Sequence, residues 1–126
     1  MSITRGIEIR RKDPSKDRPF YACPGVSWKD YGFDMWVSEW LNKFIPNLAP
    51  YETDNDYWSR IIEKKDLLRM ADDLLQCRLY VCPQAYDWME GEKLYEKDAK
   101  YFGEYFRYLA ERLKADEMLI YYDAGC

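Results

Sequence analysis

The segment Phe33–Phe44, FDMWVSEWLNKF, constrains the fold of this chain more than any other. Phe33, Trp36, Val37, Trp40, Leu41 and Phe44 recur at helical spacing, and at 100° per residue they share an arc of roughly 140°. Asp34, Ser38, Glu39, Asn42 and Lys43 fall outside that arc, and Pro46 closes the segment. The pattern predicts an amphipathic helix over Asp34–Phe44 whose aromatic face must be covered by other elements. Met35, at roughly 200° from Phe33, is expected on the outer face. Trp28 precedes the helix in an irregular, glycine-containing stretch, which leaves it free to face a partner.

Two more helices follow from the same periodicity. Leu67, Met70, Ala71, Leu74 and Leu75 share one face of a helix over about Lys65–Cys77. Tyr95, Ala99, Phe102, Phe106, Leu109 and Leu113 form the apolar stripe of a third, Glu92–Lys114. Strand signals sit mainly at the ends of the chain. Within Ile3–Arg10, Ile7 and Ile9 alternate with Glu8 and Arg10, the period of a half-buried strand, and Met118–Tyr122 reads as another. Tyr57–Ile62 leans toward strand through its β-branched and aromatic content, and Arg78–Pro83 reads as a brief one. The stretches RKDPSKDRP, PNLAPYETDND and QAYDWMEGE read as loops. No internal repeat or domain boundary interrupts the 126 residues. The expectation is one α+β domain spanning 1–126, with three main helices packed on a small sheet formed largely by the N- and C-terminal strands.

The chain contains no histidine, which removes Ser-His-Asp and Cys-His catalysis and the commonest transition-metal ligand. None of its glycines forms a P-loop or a dinucleotide fingerprint. Cys77 and Cys82 are spaced more widely than paired zinc ligands usually are, and Cys23 and Cys126 have no near neighbour. No metal and no cofactor is expected. Asp72 and Asp73 lie away from the apolar arc of their helix and are expected to be solvated. A small enzyme working through carboxylates or a bound metal is the alternative class, and it needs paired carboxylates in a pocket.

The formal charge of −4 is unevenly spread. Residues 1–30 carry seven Lys or Arg against four Asp or Glu; the remainder carries twelve against nineteen. The run RRKDPSKDR is basic, but Asp13 and Asp17 interrupt it, and a solvated loop is the better reading. An acidic body argues against direct nucleic-acid binding and for a partner with a basic surface, a larger protein or a ribonucleoprotein. No window approaches the ~18 apolar residues of a membrane span, and the N-terminal stretch has no apolar secretory core. The expected location is therefore a reducing cytoplasm, with the four cysteines as free thiols.

One feature is left over by this reading. Tyr101, Tyr105 and Tyr108 fall at i, i+4 and i+7, beside the core stripe of the third helix, with Leu94 and Arg112 in the same sector. Tyr and Arg are over-represented where interfaces concentrate their energy. The flank is either the margin of a wide core face or a partner surface. Tyr101, Tyr105, Tyr108, Arg112 and Trp28 are the candidate binding residues.

The order of these segments resembles that of small accessory proteins of phages and integrated mobile elements. The resemblance is carried by the aromatic helix FDMWVSEWLNKFI, then YWSRIIEKKDLLRMADDLL, a loop, the aromatic helix YFGEYFRYL and the short strand LIYYDAG. It covers about Phe33 to Gly125 and assigns no activity to any residue. It implies a short accessory gene whose product acts on host machinery or on a competing defence, an inhibitor of the anti-CRISPR kind being one form. An immunity protein that caps a toxin is a second, and a virion or oligomeric structural component a third.

Overall fold

A computed structural model describes residues 4–13, 25–29, 31–51, 59–78 and 92–123. In chain order the elements are β1 (Arg5–Arg11), β2 (Gly25–Trp28), α1 (Tyr31–Phe44), β3 (Ala49–Pro50), β4 (Arg60–Ile62), α2 (Lys64–Leu75), α3 (Glu92–Arg112) and β5 (Glu117–Asp123). The five strands form one sheet in the order β2-β1-β5-β4-β3, with antiparallel neighbours throughout. The N- and C-terminal strands lie at its centre, paired from Arg5↔Asp123 to Arg11↔Glu117. The α+β class and the three helices are therefore as the sequence predicts.

The register sorts the strand residues onto two faces. Val26, Ile7, Tyr121 and Arg60 form one row across the sheet, and Ile9, Leu119 and Ile62 form the next. Most of these side chains belong to the large core shared with the helices. Phe33, Trp36, Val37 and Trp40 of α1 are fully buried in that core, as their spacing requires. Phe33 stacks on Phe102 of α3 with ring centroids 4.1 Å apart and planes at 17°. Met35, expected outside, is partly buried and packs against the same core, because the layers beneath α1 reach further round the helix than the 140° arc.

Glu8 corrects a second expectation. The alternation in β1 predicts one buried and one solvated face, yet Gly6, Ile7, Glu8 and Ile9 are all buried, Glu8 to 5% exposure. The reverse face carries its own small cluster of Tyr51, Ile120 and Tyr122, with Ile61 and Met118 at its margin. Glu8 is accommodated there by Arg10, whose guanidinium reaches its carboxylate at 3.0 Å. Arg10 also stands over the Tyr51 ring, 5.9 Å from its centroid. The start of the basic run is thus part of the fold, while Lys16 and Arg18 lie outside the described residues.

The strands that escaped prediction are short. β2 is four residues containing Gly25 and Ser27, and β3 is two residues ending in Pro50. Proline is tolerated at β3 because that strand is the sheet edge. Of Tyr57–Ile62 the described part is Ser59–Ile62, and Arg60–Ile62 of it is strand. Of Arg78–Pro83 only Arg78 is described, outside any regular element.

Two glycines permit close approaches. A Cβ on Gly103 of α3 would come within 2.9 Å of Leu75 Cγ and 3.1 Å of Leu74 Cβ, so α2 and α3 meet there at the backbone of α3. A Cβ on Gly6 would lie 2.5 Å from both the Tyr122 hydroxyl and the Val26 carbonyl oxygen. Gly6→Ala is expected to lower unfolding free energy in urea by about 1–3 kcal/mol, the usual cost of overpacking.

Tyr122 also links the fold to pH. Burial first, and the nearby Glu8 carboxylate second, push its phenol up to about 12, while a hydrogen bond with Ser27 pulls the other way. The folded state prefers neutral Tyr122, so its contribution is complete below the ordinary value of 10.0 and is lost as pH rises through about 12. Unfolding measured across that window should show a shallower alkaline decline for Tyr122→Phe than for the natural chain.

Candidate functional site

Helix α3 has one face committed to the core. Ala99, Phe102, Phe106, Leu109 and Ala110 are buried, and Leu113 just beyond the helix packs at the margin; the side chain of Tyr95 lies outside the described residues. The tyrosines occupy the flank beside this stripe. Tyr101 is 57% exposed and Tyr108 is 44% exposed; they are the exposed large hydrophobic side chains among the described residues. Tyr105 between them is half-buried and leans on the core.

The three rings form a continuous strip. Tyr101 and Tyr105 have centroids 6.2 Å apart, and Tyr105 and Tyr108 are 5.7 Å apart at an interplanar angle of 62°. Tyr101 also meets the edge of buried Phe102 at 5.1 Å, which ties the outer ring to the core. At the far end the Arg112 guanidinium stands 4.3 Å from the Tyr108 ring centroid. Such stacking holds the Arg side chain in place, and among the described residues no ion pair engages its donors. Nearest-neighbour ring contacts likewise order the strip in advance, reducing the entropy lost when a surface docks on it.

Trp28 does not join this surface. It lies on β2 with 3% exposure, enclosed by Phe33, Phe102, Phe106 and Tyr121 at centroid distances of 5.2, 6.0, 5.8 and 6.4 Å. The reason is the register: pairing of β2 with β1 sets Trp28 opposite Arg5 on the helix-facing side of the sheet. Its indole N–H donates to Asp34 Oδ1 at 2.9 Å, and the other Asp34 oxygen accepts from Arg5. This bridge of β1, β2 and α1 was invisible to pattern reading, because Arg5 and Asp34 are far apart in sequence and neither lies on an apolar face.

Asp73 is a further correction. Expected to be solvated, it is only 8% exposed and accepts a hydrogen bond from Trp40 Nε1 at 2.8 Å. Its other oxygen accepts from Arg78 at 3.2 Å, and Arg78 reaches Asp72 at 2.8 and 3.0 Å. The end of α2 arranges this. Cys77 adopts a left-handed φ of 53°, the Arg78 N–H returns to the Asp73 carbonyl at 2.8 Å, and the Cys77 N–H to that of Leu74 at 3.1 Å. That is a Schellman turn with cysteine where glycine is usual. The sulfur of Cys77 is exposed and free; Cys23, Cys82 and Cys126 lie outside the described residues. By contrast Trp36 Nε1 is buried without a hydrogen-bond partner among the described residues.

One concavity among the described residues is a cleft of roughly 170 Å³ between the C-terminal half of α1 and the sheet, lined by Ser38, Asn42, Leu48, Arg60 and Tyr121 among others. It is smaller than a typical small-molecule site, and Arg60 at its floor already donates to the Ser59 carbonyl at 3.1 Å. Among the described residues no three His, Cys, Asp or Glu side chains gather as a metal ion would require, and no helix is long and apolar enough to cross a membrane. Comparison with protein-family models, with curated proteins and with solved structures finds no match to this chain.

The Asp73 network makes a stability prediction separate from binding. Asp73→Ala would strand the Trp40 N–H in the core and remove one of the two carboxylates that hold Arg78, a loss of about 2–4 kcal/mol by chemical unfolding. Asp73→Asn keeps an acceptor for Trp40 and is expected to lose less than half of that.

Proposed function

We propose that this protein is a non-enzymatic binding protein that inhibits or modulates a larger macromolecule, gripping it through the outer flank of α3. The observation that carries this reading is the ordered strip of Tyr101, Tyr105, Tyr108 and Arg112, with the side chains of Tyr101 and Tyr108 exposed. Tyrosines with unengaged hydroxyls combine apolar area with a polar tip at little entropic cost, the composition of interface hot spots. The acidic balance of residues 31–126 favours a partner with a basic surface, a larger protein or a ribonucleoprotein held by protein contacts.

The resemblance to phage and mobile-element accessory proteins supports a role in the host cytoplasm against host machinery or a rival defence, in the manner of an anti-CRISPR inhibitor. Neutralisation of a toxin by an immunity protein would use the same kind of surface. In both forms the chain acts by occupying its partner rather than by chemistry.

The experiment is capture from a lysate of the cells that express the chain, with binding and folding read separately. Tyr101→Ala combined with Tyr108→Ala is expected to weaken capture at least tenfold while shifting thermal unfolding little, since both side chains are exposed. Tyr105→Ala touches the core and should cost stability as well. Full capture by the Tyr101/Tyr108 double variant would exclude the flank as the binding surface.

A further inference from the structure

The tyrosines belong to a longer register. Asp98, Tyr101, Tyr105, Tyr108 and Arg112 are separated by three, four, three and four residues, a spacing that lines one sector of the helix and is compatible with a short coiled-coil seam. In heptad terms Asp98, Tyr105 and Arg112 take one seam position and Tyr101 and Tyr108 the other. Beside the seam, on the side away from the core, stand Lys97, Glu104 and Glu111, seven residues apart and all exposed. The opposite side of the seam is Phe102 and Leu109, already buried in the chain's own core. Charged residues therefore border the seam on one side only.

This one-sided border decides what can pack there. When two such helices lie antiparallel, residues on the same border meet each other; when they lie parallel, each border meets the opposite one. A second copy packed parallel would set Lys97, Glu104 and Glu111 against positions occupied by Phe102 and Leu109, and Asp98 against Asp98. A second copy packed antiparallel pairs Tyr101 with Tyr105 and Asp98 with Tyr108. It also brings Lys97 within about 3 Å along the axis of Glu111 of the second copy, twice by symmetry. Only Glu104 meets its own like charge, near the two-fold axis.

We infer that a second copy of this chain packs antiparallel along the tyrosine flank of α3, forming a two-fold dimer closed by reciprocal Lys97–Glu111 ion pairs. The inference rests on the reading of that flank as a binding surface, and it supplies a regulation of it: the dimer covers Tyr101 and Tyr108 until a tighter partner displaces one copy. The seam runs about 21 Å from Asp98 to Arg112, a short interface, so the pairing is weak and readily exchanged.

Sedimentation of the full chain over a concentration series tests this. The natural chain is expected to show reversible dimerisation, and Lys97→Glu or Glu111→Lys alone to weaken it about tenfold, because each places two like-charge pairs across the interface. An equimolar mixture of the two variants should recover the dimer as a heterodimer, since both pairs are again opposite in sign. Glu104→Gln should tighten it by removing the repulsion at the axis. A monomer up to about 1 mM, or a mixture no tighter than either variant alone, overturns the pairing. Capture of a partner is read on the Lys97→Glu chain at a concentration where it is dissociated: capture by it with no dimerisation of the natural chain overturns only the self-pairing, and dimerisation of the natural chain with no capture overturns only the proposed function.

Discussion

The indole of Trp28 is the tie between the two layers of this protein, and most of the remaining architecture depends on it. The ring comes from an edge strand, fills the space between Phe33 of α1 and Phe106 of α3, and stacks toward Tyr121 of the central strand. Its one polar atom is satisfied by Asp34, which in turn holds Arg5. A carboxylate at that depth is tolerable because both oxygens are engaged, one by a neutral and one by a charged donor. The bridge fixes the first turn of α1 over β1 and β2. With α1 so placed, Phe33 meets Phe102, and the rotation of α3 about its own axis follows.

That rotation explains why the tyrosine flank faces outward. The described sheet has no solvated face to offer: one side is covered by the helices, and the other buries Glu8, Tyr51, Ile120 and Tyr122. Helix α3 meets the core through Phe102 and Phe106 and meets α2 through the backbone at Gly103. These two attachments use adjacent sectors of its circumference. The sector carrying Tyr101, Tyr105 and Tyr108 is left outward, anchored by the edge contact of Tyr101 on Phe102 and by the partial burial of Tyr105. One helix thus carries a buried stripe at Ala99, Phe102, Phe106 and Leu109 and, in the next sector, the exposed rings of Tyr101 and Tyr108.

Polar groups do unusual structural work in this fold. Trp28 and Trp40, from a strand and a helix, each donate to a buried or half-buried aspartate, and in both cases an arginine completes the carboxylate: Arg5 at Asp34 and Arg78 at Asp73. Losing either aspartate leaves the indole N–H of its tryptophan without that acceptor in a medium of low dielectric, so each indole–carboxylate pair acts as a unit. The Arg78 trio also explains why a non-glycine residue sits at a left-handed turn. The strain at Cys77 is offset by the ion pairs that the turn brings into range.

The sequence by itself determined the class, the three helices, the two central strands and the aromatic core of α1, because apolar periodicity is a local property that burial must honour. It also separated the tyrosine flank of α3 from the core stripe, since the two sectors differ in angle on one wheel. It did not determine whether that flank is open; the exposure of Tyr101 and Tyr108 came only with the packing of the other elements. Nor could it place Trp28, whose burial depends on the pairing of β2 with β1, a non-local event in a strand too short to carry a pattern of its own. Asp34, Asp73 and Glu8 were misread or passed over for the same reason. A charged residue looks solvated in sequence, and only tertiary structure brings the arginine or indole that makes its burial tolerable.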